Sequence, residues 1–157
     1  MFRISTAMFF AFVLSAAAAQ AAVPPNAMGL PPQPKVHPAG IPHDAMKLSP
    51  CVQTMGEHWG VLKNMPLGPI YGVYKGKPIF SEIMVSQKQM AQGFSYDNLG
   101  ALPGYHIDHV DFEFEPHGHP GFPVPHYDLH AYYVSAAMQA QICPNGEPDP
   151  AMKPKMR

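Results

Sequence analysis

Three residues in the stretch His126-Tyr-Asp-Leu-His-Ala-Tyr-Tyr-Val134 have the types and the spacing for metal chemistry. His126, Asp128 and His130 alternate, and alternate side chains of a strand project from one face. The aromatic residues and the valine favour a strand here. Two imidazoles and a carboxylate on one face suit a borderline divalent metal of the zinc, iron or copper class. A helix would also align His126 with His130 but would turn Asp128 away. Tyr127 stands where the helical His-Glu-x-x-His pattern needs a glutamate. The competing reading is a hydrated or hydrogen-bonded sheet face without metal.

A Pro/Gly loop, residues 116–125, feeds this strand, and together they hold four of the nine histidines. His117-Gly-His119 is followed by Pro-Gly-Phe-Pro-Val, so the glutamate of a cupin His-x-His pattern is missing. His117 and His119 are therefore read as ordering the loop or guarding the site entrance.

Other elements must bring further groups to this face. Residues 68–75 and 77–85 read as two strands joined at Lys75-Gly76, a hairpin. In the second, Phe80, Glu82 and Met84 share one face. Glu82 is the single acid in an apolar strand. Buried, it needs a partner or a metal; on an exposed face it needs neither. Residues 105–115 alternate over their second half. Val110, Phe112 and Phe114 are expected to face the core, with His109, Asp111, Glu113 and Glu115 opposite. That polar face offers further ligands, His109 in second rank, or is an ordinary solvated face, the preferred reading for Glu113 and Glu115. His58 adjoins Trp59, the only tryptophan. Taken alone it is better read as a packed or capping histidine at the edge of an apolar cluster.

Ser86 to Gly93 and Ser135 to Cys143 read as short helices with serine N-caps. The order β-β-α-β-β-α predicts an α+β fold, with an antiparallel sheet of about four strands and short helices on one side. A small β-barrel or cupin-like fold is the alternative.

The chain has 157 residues and begins Met1-Phe-Arg3, followed by an apolar, alanine-rich run and Ala19-Gln20-Ala21. That is the pattern of a secretory signal peptide over 1–21, which predicts a periplasmic or secreted protein. No other apolar run is long enough for a bilayer. Residues 22–50 are proline-rich and read as an arm or linker. The globular domain is expected over 51–146, with a flexible tail over 147–157. Removing Arg3 with the signal takes the formal net charge from −1 to −2, which gives no electrostatic footprint for nucleic acid. Cys51 and Cys143 are the two cysteines. In an oxidising compartment such a pair is most simply a disulfide. Closing a loop of about 90 residues, it would contribute about 3 to 4 kcal/mol. Two free thiols, one of them a metal ligand, are the other reading.

Met55-Gly-Glu-His-Trp59, Pro69-Ile-Tyr-Gly-Val-Tyr74 with Ile79-Phe-Ser-Glu82, and Pro125-His-Tyr-Asp-Leu-His130 occur in this order. Together they resemble a small family of uncharacterised exported bacterial proteins, a domain of unknown function. The resemblance spans about Cys51 to Cys143. It implies a compact β-containing domain, a ring-like homo-oligomer and no established activity. Its polar positions fall on His58, Glu82, His126 and His130, a set able to hold a single metal.

Three functions follow as expectations. The first is an exported metal-binding domain. The second is a metal-dependent hydrolase or oxygenase at the same site, with Asp128 or an unligated Glu82 as general base. The third is a metal-free structural or envelope-stress protein. Whether the chain is an enzyme, and on what small molecule, is left open by the sequence. G-x-S-x-G, P-loop and G-x-G-x-x-G patterns are absent.

Overall fold

The structure, a computed structural model, describes residues 29–146. Six strands form one antiparallel sheet: β1 (Met46–Val52), β2 (Gly56–Gly60), β3 (Ile70–Tyr74), β4 (Lys77–Ser86), β5 (His109–Glu115) and β6 (His126–Tyr132). Their order across the sheet is β1-β2-β3-β4-β6-β5. The sheet is open, with β1 and β5 as its edges, so the barrel alternative does not hold. Helices are few and short. Gln87–Ala91 forms α1 and Ala136–Gln139 forms α2, with a 3-10 turn at Leu62–Asn64.

The antiparallel sheet with short helices is as expected, but the strand number and order are not. β1 and β2 are additional. β1 carries Pro50, which cannot donate to a ladder, and β2 is bounded by Gly56 and Gly60 with Trp59 its one large apolar residue. β2 lacks the alternation that marks a half-buried strand; Met46, Leu48 and Val52 of β1 do alternate with Lys47 and Ser49, but Pro50 and the proline-rich segment before it argue against a strand. Pairing with β3 makes β2: Glu57, His58, Trp59 and Gly60 lie opposite Val73, Gly72, Tyr71 and Ile70.

The register divides the side chains between two faces, because directly opposed residues of an antiparallel pair share a face. Trp59, Tyr71 and Ser81 lie in one cross-strand row, extended by Ala131. Trp59 and Tyr71 pack with Val61 and Val73, and Ile41 and Ala45 of the preceding segment join them. On the opposite face Phe80 and Tyr132 pack with Ile142, beyond α2. Each fully buried large side chain contributes about 1.5–3 kcal/mol. The two faces thus both have apolar cover near the middle of the sheet, and β4 is buried from Pro78 to Val85.

Ser86 caps α1 as the sequence suggests. Its hydroxyl accepts from the Gln89 backbone N–H while the Gln89 side chain returns to the Ser86 backbone. Ser135 caps α2 in the simpler way, accepting from Met138 N. Cys51 and Cys143 form a disulfide, with Cα atoms 6.2 Å apart. It ties β1 to the segment after α2.

One expectation about the core is overturned. The alternation on β5 predicts Val110, Phe112 and Phe114 inward, yet they are 53%, 57% and 43% exposed. The alternation is real, but β5 is the sheet edge and nothing among the described residues covers that end of its apolar face. Tyr127 of β6 stacks on Phe112 and Phe114 and gives them their main contact. Among the described residues no helix is long and apolar enough to cross a membrane. The residues of the expected signal peptide and tail lie outside those described.

Candidate metal centre

β6 sits between β4 and β5, and its polar face is buried. His126, Asp128 and His130 are 0%, 6% and 1% exposed. Opposite them on β4 stand Ser86, Met84 and Glu82, and on β5 stand Glu115, Glu113 and Asp111. The alternation of β6 therefore delivers three candidate ligands, two imidazoles and a carboxylate, to one face, as the sequence spacing requires. Glu82 joins them from the ladder position directly across from His130, and is 2% exposed.

His58 reaches the same face from two strands away. It lies opposite Gly72, which lies opposite Phe80. Gly72 is needed there because a Cβ would stand 2.1 Å from Phe80 Cε1. The Phe80 ring occupies that space and meets both histidine rings edge-on, with centroids 5.5 Å from His58 and 4.9 Å from His130. Phe80 thus spaces the two imidazoles.

The five residues fall into two neighbouring groups. His58, Glu82 and His130 form one, and His126 and Asp128 form the other together with His119. Within each group one ligand atom per residue lies within 4.8 Å of the others. His109 enters neither. Its ring is held by Asp108 and Gln139 and stacks on Tyr132, and its pKa is raised, chiefly by Asp108.

Proton placement in the first group follows from its hydrogen bonds. Ser49 Oγ donates to the Pro50 carbonyl and accepts from the His58 backbone N–H. With its only proton used, the hydroxyl accepts again from His58 Nδ1, 3.0 Å away. His58 Nε2 is then a lone pair, 3.8 Å from Glu82 Oε2. His130 Nε2 lies 3.5 Å from Glu82 Oε1, and its Nδ1 lies 3.6 Å from Glu113 Oε2. These separations are too long for good hydrogen bonds. The two separations from Glu82 are near those of neighbouring donors on a tetrahedral ion, which stand roughly 3.4 Å apart when each is about 2.1 Å from the metal.

The electrostatics agree. Burial, reinforced by His130, lowers His58 to about 3. Burial lowers His130 to about 4 against the opposing pull of Asp111. Both rings are therefore neutral at physiological pH, the form that binds metal. Burial, then Asp128 and Glu113, pushes Glu82 well above the ordinary carboxylate range. A cation beside it would favour its charged form.

Sequence reasoning places His119 at the loop as a guard and misses it as part of a group. The available signal is the Pro120-Gly121 turn, which folds the loop back so that His119 pairs with Phe122 in an isolated bridge. His58 is weak in sequence because its neighbour Trp59 points to the opposite face, into the core.

No family model matches the chain and no curated protein matches it. Among solved structures it is similar to hypothetical protein TTHB210 from Thermus thermophilus, known from a crystal structure. The two share 24% identity with a TM-score of 0.52, over 60% of this chain and 92% of the other. That likeness concerns the fold alone.

Proposed function

We propose that this protein is an exported metal-binding domain, with one divalent ion of the zinc, iron or copper class held by His58, Glu82 and His130. One observation carries the reading. Among the described residues the buried side-chain nitrogen and oxygen atoms without a hydrogen-bond partner are Glu82 Oε2, His126 Nε2, Asp128 Oδ1, His130 Nδ1 and His130 Nε2. An unpaired buried polar atom costs about 1–3 kcal/mol, and here such atoms gather on one sheet face, with those of Glu82 and His130 in a group whose ligand atoms lie within 4.8 Å of one another. A cation offsets that cost. The disulfide and the lack of a membrane-spanning helix among the described residues are compatible with export.

A second reading has its own support. Two imidazoles and a carboxylate are one donor short of a tetrahedral shell, which is the ligand count of a catalytic site with an open position. Water bound there would be acidified and could serve a hydrolytic reaction.

Chelator-stripped protein reconstituted with cobalt(II) tests the first reading. The visible d–d bands of a low-symmetry histidine/carboxylate site are expected, and His130→Ala should abolish or strongly change them. Bands that persist unchanged in His130→Ala would place the metal elsewhere.

A further inference from the structure

We propose that His119, His126 and Asp128 form a second binding site for a borderline divalent metal, separate from His58–Glu82–His130 and more open to solvent. The proposal extends the metal-binding reading but stands on different atoms. His126 Nδ1 lies 2.6 Å from the Val124 carbonyl oxygen, which can only accept, so Nδ1 carries the proton. Nε2 is then the ring nitrogen available to a metal, and Asp128 Oδ1 lies 3.1 Å from it. Both atoms are buried and neither has a hydrogen-bond partner. Two such atoms at that distance are held together by a proton or by a cation between or beside them, and His119 makes the place a three-donor group that suits the cation. His119 Nε2 approaches the other oxygen, Asp128 Oδ2, at 3.9 Å.

The loop builds this arrangement. His119 N donates to Phe122 O and Phe122 N to His119 O, at 3.2 and 3.0 Å. Gly118 has φ +64°, and a Cβ there would meet Phe122 O at 2.5 Å, so only glycine lets the loop close this tightly. The rings of His119 and Phe122 then pack on His126, with centroids 4.7 and 4.5 Å away. The His119 side chain is 37% exposed, against 2% for His130 and 3% for Glu82. The most exposed member of the first group, His58, has a side chain only 16% exposed, so an ion here would lie more open to water than one there.

Two separate sites fit better than one bridged pair. Asp128 and His130 are alternate residues of β6, about 6.6 Å apart along the strand, whereas bridged two-metal sites hold their ions about 3.5–4 Å apart. The carboxylates of Asp111, Glu113 and Glu115, which lie opposite His130, Asp128 and His126, reduce the repulsion between two such ions.

The experiment is equilibrium titration of chelator-stripped full-length mature protein with zinc(II), read as equivalents bound and as the rate of loss to a competing chelator. Wild type should bind two equivalents, one released faster. His119→Ala, at the partly exposed member, should lose the fast equivalent and keep the slow one, and Asp128→Asn should do the same. His130→Ala should lose the slow one and keep the fast one. A wild type that binds one equivalent, lost in His130→Ala but kept in His119→Ala and Asp128→Asn, overturns the second site and leaves the first. One equivalent lost in His119→Ala and kept in His130→Ala upholds the second site and removes the first. Circular dichroism identifies a variant that fails to fold. The conservative Asp128→Asn retains the side-chain volume, so a folded Asp128→Asn that still binds two equivalents also overturns the proposal.

Discussion

Gly72 lies directly beneath the Phe80 ring across the β3–β4 ladder, with no room for a methyl group between them. Phe80 in turn touches both His58 and His130. The glycine therefore sets the spacing of two ligands it never contacts. Gly72→Ala should displace the ring and spread the histidines. Overpacking of this kind costs about 1–3 kcal/mol in stability, and metal affinity should fall at least tenfold in a chain that remains folded. Calorimetric titration of the folded variant checks this. An unchanged affinity would mean that the ring does not position the ligands.

Glu82→Gln separates the metal role of the carboxylate from its folding role. Glu82 has a folded-state pKa raised above its unfolded value. In the metal-free protein Glu82 therefore holds its proton more in the folded than in the unfolded state above about pH 4.5, and it costs stability as pH rises through that window. His58 and His130, lowered to about 3 and about 4, act oppositely and add stability as pH rises from about 4 to 6.5. Glu82→Gln removes only the carboxylate's contribution. Without metal the variant should be more stable than wild type at pH 8, with the difference vanishing near pH 4, and it should gain little from added zinc(II). Denaturant titrations at the two pH values provide the comparison. A variant less stable than wild type at pH 8 without metal would count against a strained carboxylate.

Glu113 faces His130 Nδ1 from the edge strand at 3.6 Å, a carboxylate behind the imidazole proposed as a metal ligand. Such outer partners orient the ring and raise its basicity, and their loss costs about 10–100-fold in metal affinity. Glu113→Gln should weaken binding within that range without changing the number of ions bound. A change in stoichiometry would instead make Glu113 a ligand.

The Cys51–Cys143 bridge spans 92 residues. In the chain-entropy model a loop of that size contributes about 4 kcal/mol. Reduction should lower the melting temperature by on the order of 10 °C. Scanning calorimetry with and without reductant measures the change. An unchanged melting temperature would show that the bridge does not constrain the unfolded chain.

The fold was legible where a strand alternates and is half buried. His126, Asp128 and His130 share a face because period-two spacing leaves no other outcome once the segment is extended. Glu82 stood out as a single acid among apolar residues, and the register puts it across from His130. β1 and β2 were not legible, since Pro50, Gly56 and Gly60 argue against strands, and it is the ladder from β3 to β2 and from β2 to β1 that makes them. Val110, Phe112 and Phe114 have a core-facing pattern, but alternation shows that two faces differ and not whether anything covers the apolar one. The division of the ligands into two groups depends on how the 116–125 loop returns to the sheet and on the depth of the Phe80 ring. Neither quantity is encoded in local spacing.

The central claim is that His58, Glu82 and His130 hold a metal. Its most direct test is elemental analysis of the protein, purified without an affinity tag or added metal, beside Glu82→Gln prepared in the same way. The account predicts at least one equivalent of a transition metal in wild type, and about one equivalent fewer in Glu82→Gln. Wild type that carries no metal and takes up none on reconstitution would contradict it, leaving these residues as a buried polar network satisfied by protons alone.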